Sequence, residues 1–214
     1  MISALFLQAS LGINQEATSA PKVVVALEMY QDTTEGAITT VRDTVTALFK
    51  MGGYEVVQTE VTAEVWQSAL DKKKPKLTYK VKDYMPDLPS PKELLLLGEK
   101  AGYDYVFVYR CKFHADNVWV TLGPKTKGYC TVDAYLVDVK NRELDMEASK
   151  LRADSTRVEK GWETAASILV SHMFTTVSGG PKTPHLQASS QLAFAKTFEP
   201  WLEKLGKLPP PKTD

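Results

Sequence analysis

The side chains best suited to chemistry in this 214-residue chain are those of its two cysteines and three histidines. Cys111 and Cys130 lack the CxxC spacing of a zinc or redox motif. His114, His172 and His185 are too scattered for the HExxH pair of a zinc enzyme. Alternation along the strand predicted around Cys111 turns His114 to the opposite face, which argues against a shared Cys/His site. The sequence therefore predicts no metal site.

Motifs for nucleophilic, phosphate or acid-base chemistry are also missing. The sequence has no GxSxG nucleophile elbow. Residues Gln31 to Gly36, which follow the first predicted strand, include a single glycine, whereas a phosphate-binding loop needs several. Asp133, Asp138 and Asp145 fall near strand ends and turns, where solvated turn residues explain them. We therefore expect no catalytic residue and no cofactor, which argues against an enzyme.

Composition restricts the class of partner. The chain is 43% hydrophobic and 24% charged, which is typical of a globular protein. Its 26 basic residues balance 26 acidic ones, so no overall field draws it to nucleic acid. No apolar run approaches the roughly 18 residues that span a bilayer. We expect a protein partner, no nucleic acid and no membrane span.

The first 20 residues bear on cellular location. A short apolar stretch from Ile2 to Leu7 is followed by small residues, Thr18 to Ala20, just before Pro21. This order resembles the later part of a secretory signal, although no lysine or arginine precedes the apolar stretch. The segment predicts export to the periplasm or another extracytoplasmic space. The alternative is a disordered arm on a cytoplasmic protein.

A strand, a helix and a second strand are predicted at the start of the folded region. The β-branched run from Lys22 to Met29 indicates a buried strand. Thr33 or Thr34 then caps a helix that the glycines at 52 and 53 end. The second strand runs from Tyr54 to Thr59. A crossover of this length favours parallel pairing of the two strands.

A lysine-rich segment follows a short helix predicted from Thr62 to Leu70. It runs from Lys72 to Lys82, with one proline inside it at position 75 and further prolines after it at 86, 89 and 91. Such a segment indicates an exposed loop that binds an acidic partner or phosphates, or one that is simply solvated. The lysines of this candidate interaction loop are Lys72, Lys73, Lys74, Lys76, Lys80 and Lys82.

The middle of the chain predicts an antiparallel meander. A helix from Pro91 to Gly102 leads into a strand from Tyr103 to Phe113, whose one face is apolar while the other becomes polar partway along. A bend is expected at Asp116-Asn117, with Val118 to Leu122 continuing or pairing with this strand. A turn is expected from Gly123 to Gly128. Two further strands, from Tyr129 to Val139 and from Leu144 to Ala153, complete the meander.

Two helices are predicted after the meander. Thr156 and Glu159 have the spacing of a capping box, and an apolar stripe follows from Trp162 to Val177. A second helix runs from Leu186 to Leu205, with Pro200 expected to kink or divide it. It packs on its own domain or on a partner. Residues 208–214 are expected to be disordered.

The predicted fold class is α/β (α+β). We expect a single mixed sheet of about five strands, ending in the antiparallel meander and packed by three to four helices. The sheet and most helices form one domain over residues 22–178, and the helix over 186–205 follows it. Cys111 and Cys130 fall on neighbouring strands of this sheet. They are candidates for a disulfide in an oxidising compartment, or are two small buried apolar residues.

Three segments carry a resemblance to a known group of proteins: LGEKAGYDYVFVYR, GYCTVDAYLVDVKNRELDMEASKLRADST and VEKGWETAASILVSHM. The chain resembles the α/β domains of the CsgG/LpoB and TolB amino-terminal group of the bacterial envelope over roughly residues 22–178. The resemblance implies a non-catalytic, exported domain that binds envelope proteins or assembles. The lipid-modified N-terminal cysteine common in that group is missing here. We also expect no long amphipathic hairpins of the kind found in CsgG-type channels, and therefore no channel.

Two functional hypotheses follow. The first is an exported envelope domain that binds another envelope protein or itself, through half-exposed strand faces, the Lys72 to Lys82 loop and the C-terminal helix. The second is a cytoplasmic small-ligand binder or enzyme. Its cleft would lie at the carboxyl ends of the first two strands, lined by Asp32, Thr33 and Thr34.

Overall fold

Five strands form one mixed sheet in the order β2-β1-β3-β4-β5. The computed structural model describes residues 20–57, 88–120, 123–155 and 182–208. Within these ranges the strands are β1 (Lys22–Gln31), β2 (Glu55–Val57), β3 (Tyr105–Val120), β4 (Gly123–Asp138) and β5 (Glu143–Asp154). The helices described are α1 (Glu35–Gly52), α2 (Pro91–Ala101) and α3 (Thr183–Lys204). The predicted α/β class and the single five-stranded mixed sheet are confirmed.

The first half of the sheet is parallel. β1 pairs in parallel with both β2 and β3. Helix α1 forms between β1 and β2 because the Thr34 hydroxyl accepts from the Ala37 N–H, while Gly53 takes a left-handed φ of 91° at the other end. The predicted strand-helix-strand unit is therefore present, with its second strand described only over Glu55–Val57.

The second half is antiparallel, and its central hairpin is longer than predicted. β3 and β4 are 16 residues each and pair continuously from Tyr105↔Asp138 to Val120↔Gly123. The bend expected at Asp116-Asn117 and the turn expected from Gly123 to Gly128 are both wrong, because these residues lie within paired strands. The expectation that the chain has no long hairpin is wrong for the same reason.

Turn-forming residues are tolerated at this end of the hairpin because no further described strand pairs with it. Among the described strands, β1 pairs with β3 only as far as Lys112, and β5 pairs with β4 only from Tyr129 onward. The end of the hairpin is therefore a two-stranded ribbon in the described part of the chain. A proline such as Pro124 needs no ladder hydrogen bond on its outer edge in such a ribbon.

One face of the sheet, which we call the inner face, packs against α1 and α3. Its core contains Val41 and Phe49 of α1, Phe107 of β3, and Phe198 and Trp201 of α3, all 2% exposed or less. Phe49 makes edge-to-face contacts with Phe107, Phe198 and Trp201 at centroid distances of 5.0, 4.8 and 5.5 Å. The C-terminal helix therefore packs on its own domain, and it continues through Pro200 without dividing.

The opposite face, which we call the outer face, is covered by α2 near its β1 side. Ser90 and Glu93 form a capping box that starts this helix. Leu94 and Leu97 are fully buried against Val106 and Val108 of β3. Gly98 permits the close approach, since a Cβ there would overlap the Val139 side chain. Beyond Val108 this face becomes polar, as the alternation predicted.

Several predicted segments lie outside the described residues. They are the signal-like segment apart from Ala20, the helix predicted from Thr62 to Leu70, the Lys72 to Lys82 loop, the helix from Thr156 to Val177, and the tail after Leu208.

Candidate functional site

The polar part of the outer face is a grid built by β3, β4 and β5. Strand register sets its rows: Arg110 opposite Asp133, then Lys112–Thr131–Arg152, then His114–Tyr129–Asp154. Period-two alternation separates these residues from the buried Cys111, Phe113, Cys130 and Val132 on the inner face. The grid therefore follows directly from the strand sequences, once the register is known.

Tyr129 is the aromatic centre of this grid. The Arg152 guanidinium carbon lies 4.3 Å from its ring centroid and the Lys127 ammonium nitrogen 5.3 Å. The His114 ring stacks near it with centroids 6.1 Å apart. Cations near a tyrosine face are attracted by the negative face of the ring. These contacts place a guanidinium over an aromatic ring at a half-exposed position.

Asp133 holds its partner Arg110 in the first row of the grid. Its Oδ2 accepts from Arg110 Nε at 2.7 Å, and its Oδ1 accepts from the Lys150 backbone N–H at 2.8 Å. The second bond crosses a β-bulge in β5, where Lys150 has a φ of 51°. Asp133 thus holds Arg110 extended along the sheet surface.

The charges of the grid differ in how they are compensated. Arg110 pairs with Asp133, Lys127 pairs with Asp154 at 3.4 Å, and His114 lies beside Asp116. Within residues 20–57, 88–120, 123–155 and 182–208, Lys112 and Arg152 form no ion pair, and both are exposed. The middle row therefore carries the uncompensated positive charge.

The inner face holds a second polar cluster, centred on Glu28. A bulge in β1 between Val25 and Leu27 turns Glu28 inward, where it is 7% exposed. Its carboxylate accepts from Arg42 of α1, with Nε at 2.7 Å, from the Tyr109 hydroxyl at 2.7 Å and from the Tyr30 hydroxyl at 3.0 Å. The two tyrosine hydroxyls are 2.6 Å apart.

The electrostatics of this cluster are those of a closed network. Burial raises the pKa of Tyr109 well above its usual value, and burial followed by the charge of Glu28 raises that of Tyr30. The hydrogen bond to Glu28 raises the pKa of Arg42. Both tyrosines therefore stay neutral and the arginine stays charged at neutral pH. Sequence reasoning missed this cluster, although an acidic residue inside the apolar run from Lys22 to Met29 was a signal for it.

Three aspartates interpreted as solvated turn residues each have structural partners, so that interpretation is wrong. Asp133 of β4 links β3 to β5, since its carboxylate accepts from Arg110 of β3 and from the Lys150 backbone N–H of β5. Asp138 is 5% exposed and accepts from the Asn141 backbone N–H at 2.8 Å. The Asp145 carboxylate is 7% exposed, accepts from Trp201 Nε1 at 2.8 Å and pairs with Lys204. None of these hydrogen bonds joins two of the aspartates as an acid-base pair would.

The two cysteines meet on the inner face. Cys111 lies opposite Val132 and Cys130 opposite Phe113, so they are diagonal neighbours on β3 and β4. Both are fully buried and free. Burial, followed by the hydrogen bond to Cys130, raises the pKa of the Cys111 thiol well above its usual value. His114 is on the opposite face, as the alternation predicted.

The cleft of the second hypothesis coincides with the start of α1. Asp32 turns the chain with a φ of 58°, and Thr34 caps the helix. The Thr183 hydroxyl of α3 lies 3.4 Å from that of Thr34. Thr34 therefore serves the start of the helix, and the Thr33 hydroxyl donates to the Thr34 carbonyl oxygen. In the described residues, no group of three His, Cys, Asp or Glu side chains could hold a metal ion.

Of the other predicted residues, His185 is the one that the structure describes. His185 lies at the start of α3, where its backbone packs so closely on β4 that a Cβ at Gly128 would overlap it. His172 and the six lysines of the Lys72 to Lys82 loop lie outside the described residues. No helix in the described ranges has the length and apolar character needed to cross a membrane.

Comparison with known proteins gives weak similarities. No protein-family model matches the chain, and no curated protein matches it. It is similar to the lipoprotein GNA1162 from Neisseria meningitidis, with 16% identity, 72% of this chain and 92% of that chain covered, and a TM-score of 0.39. It is also similar to the hypothetical protein CT253 from Chlamydia trachomatis, with 11% identity, 87% of this chain and 96% of that chain covered, and a TM-score of 0.40.

The LpoB C-terminal domain from Salmonella enterica is a third similar structure. It is 12% identical, with 65% of this chain and 85% of that chain covered and a TM-score of 0.36. Similarities at this level do not show that the chain belongs to the CsgG, LpoB or TolB group. Similarity at this level does not indicate what the chain binds.

Proposed function

We propose that this chain is an exported envelope domain that binds another protein, or a second copy of itself, through the outer face of β3, β4 and β5. One observation carries the proposal. Tyr129 and Arg152 stack on each other in a half-exposed grid whose middle row has uncompensated charge. Tyrosine and arginine are the residue types most enriched among the energetically important residues of protein interfaces.

The grid is suited to binding because two of its arginines are already held in place. Arg110 is held by Asp133, and Arg152 is held by the Tyr129 ring. Side chains fixed before binding lose less conformational entropy in a complex, which leaves more of the interaction energy for affinity. A β-sheet also gives the grid a rigid backbone, since each row spans hydrogen-bonded strands.

Export is the second part of the proposal. The signal-like residues 1–20 support it. In an oxidising compartment the neighbouring Cys111 and Cys130 would be candidates for a disulfide. Mass spectrometry of the native chain tests both. Removal of the first 20 residues together with a mass lower by two hydrogens is expected. An intact, reduced chain in the cytoplasmic fraction would contradict export.

Site-specific photocrosslinking in the source cell tests the binding surface. A photoreactive phenylalanine analogue replaces Tyr129 on the outer face or, as a matched control, Asp43, which is exposed on α1. We expect a discrete crosslinked product from position 129 and none from position 43. Products from position 43 alone, or from neither position, would overturn the proposal. A crosslink to the chain itself would identify self-association.

A further inference from the structure

Two exposed cations and one hydroxyl lie in a straight row across three strands. Lys112 and Arg152 are both opposite Thr131, one from β3 and one from β5. Because neighbouring strands are about 4.8 Å apart, the two cationic residues are separated by ~10 Å at the backbone. Thr131 is short, so the row forms a shallow saddle with a hydroxyl at its floor and a cation on each side.

We propose that this row, Lys112–Thr131–Arg152, binds a carboxylate side chain of an acidic segment in the partner protein. The inference rests on the proposed function, because it names the chemistry of the partner that meets the outer face. Lys112 would supply an ammonium donor and Thr131 a hydroxyl donor. Arg152 would supply a guanidinium edge, whose planar fork matches a carboxylate.

The surrounding charges favour an anion at this place. Asp133 in the row on one side is engaged by Arg110 and by a backbone N–H, and Asp154 on the other side is engaged by Lys127. The neighbouring acids are thus neutralised by partners of their own. The positive charge of the row is left for a ligand, and the Arg152 guanidinium is held over the Tyr129 ring.

The extent of the site favours a peptide carboxylate over a nucleic acid. Nucleic-acid surfaces carry a stripe of lysine and arginine that follows successive phosphates. Among the cations of the three rows, Lys112 and Arg152 are the two that form no ion pair within the described residues, and the formal net charge of the chain is zero. Two cations around one hydroxyl fit a single carboxylate of an acidic side chain.

Binding of a synthetic oligoglutamate peptide to the full chain provides the direct test, with an oligoglutamine peptide of equal length as control. We expect chemical-shift changes at Lys112, Thr131 and Arg152 with oligoglutamate only. Affinity should fall by about tenfold or more in Lys112→Glu and Arg152→Glu variants. Lys92→Glu, the same charge change at an exposed position on α2, should leave it unchanged. Circular dichroism checks that each variant is folded.

Other outcomes would overturn the inference. Equal binding of oligoglutamine, or an equal loss of affinity in the Lys92→Glu variant, would show that the row has no specific role. Tighter binding of single-stranded DNA than of oligoglutamate would indicate a nucleic-acid surface instead.

A second readout separates this inference from the proposed function. Photocrosslinking from position 129 in the source cell is repeated with Lys112→Glu and Arg152→Glu. We expect the crosslinked product to be lost. If it persists, the outer face binds a partner without the row, and only the acidic-segment inference fails. If position 129 gives no crosslinked product even when Lys112 and Arg152 are unchanged, the proposed function itself is contradicted.

Discussion

Glu28 and Asp133 are both carboxylates on central strands, and both accept hydrogen bonds from an arginine, yet they belong to regions with different physics. Glu28 lies on the inner face under α1, 7% exposed, and four donor groups surround it. Asp133 lies on the outer face beside Lys112 and Arg152, which have no acidic partner among the described residues. A polar cluster therefore indicates binding where its charges are uncompensated and accessible. The Glu28 cluster is polar, but it meets neither condition.

Removing an aromatic residue from each face gives the largest expected contrast. Trp201→Ala should lower the free energy of unfolding by about 3–5 kcal/mol, because the indole is packed among Phe49, Tyr54 and Phe198. It also leaves the buried Asp145 carboxylate without one donor. Tyr129→Ala on the outer face should cost less than about 1 kcal/mol. Urea unfolding measures both, and similar losses would contradict the division into two faces.

Removing the two carboxylates gives the next contrast. Glu28→Ala leaves two tyrosine hydroxyls and one guanidinium without their acceptor, so we expect a loss of about 2–3 kcal/mol. Arg42 is 57% exposed and can be resolvated, which keeps the loss below that of a fully buried pair. Asp133→Ala should cost about 1 kcal/mol, because its donors face water. A larger loss for Asp133 in thermal unfolding would reverse the comparison.

The inner face was partly predictable from sequence. Alternation over Tyr105, Phe107, Tyr109 and Cys111 gave the buried side of β3, and cap residues gave the ends of α1. Glu28 was missed because its inward orientation depends on a β1 bulge between Val25 and Leu27, and the alternation pattern contains no signal for an extra residue.

The outer face was predictable as polar, but its grid was not. Lys112, Thr131 and Arg152 are far apart in sequence, and only the register of three strands places them in one row. The register could not be inferred because turn residues such as Gly123, Pro124 and Gly128 indicated a turn where β4 runs continuously. Pairing in a two-stranded ribbon overrides these local preferences.

High pH should affect the inner face selectively. The pKa values of Tyr30 and Tyr109 are raised in the folded protein, whereas in the unfolded chain they are near 10. Above that pH the unfolded chain releases protons that the folded chain retains, so stability is fully present below pH ~10 and falls as pH rises further. Urea unfolding between pH 7 and 11 measures the fall.

Tyr109→Phe is the matched variant for this pH dependence. It removes one hydroxyl whose pKa is raised in the folded protein, so stability should decline less steeply at high pH. A decline that is equally steep in Tyr109→Phe would show that Tyr109 does not contribute to it.

Neutralising the cations of the outer face should have the smallest effect on stability. Lys112→Gln removes a charge without an acidic partner in the described residues, so the free energy of unfolding should change by less than about 0.5 kcal/mol. Arg152→Gln also loses the contact with the Tyr129 ring, which is worth about 0.5–1 kcal/mol at an exposed site. Calorimetry of the two variants measures the difference. If Arg152→Gln cost as much as Glu28→Ala, Arg152 would be a structural residue, and its place in a binding row would lose its main support. Lys112 and Arg152 thus contribute little to stability, while three hydrogen-bonded strands fix their backbone positions in one row, and a binding surface needs this combination.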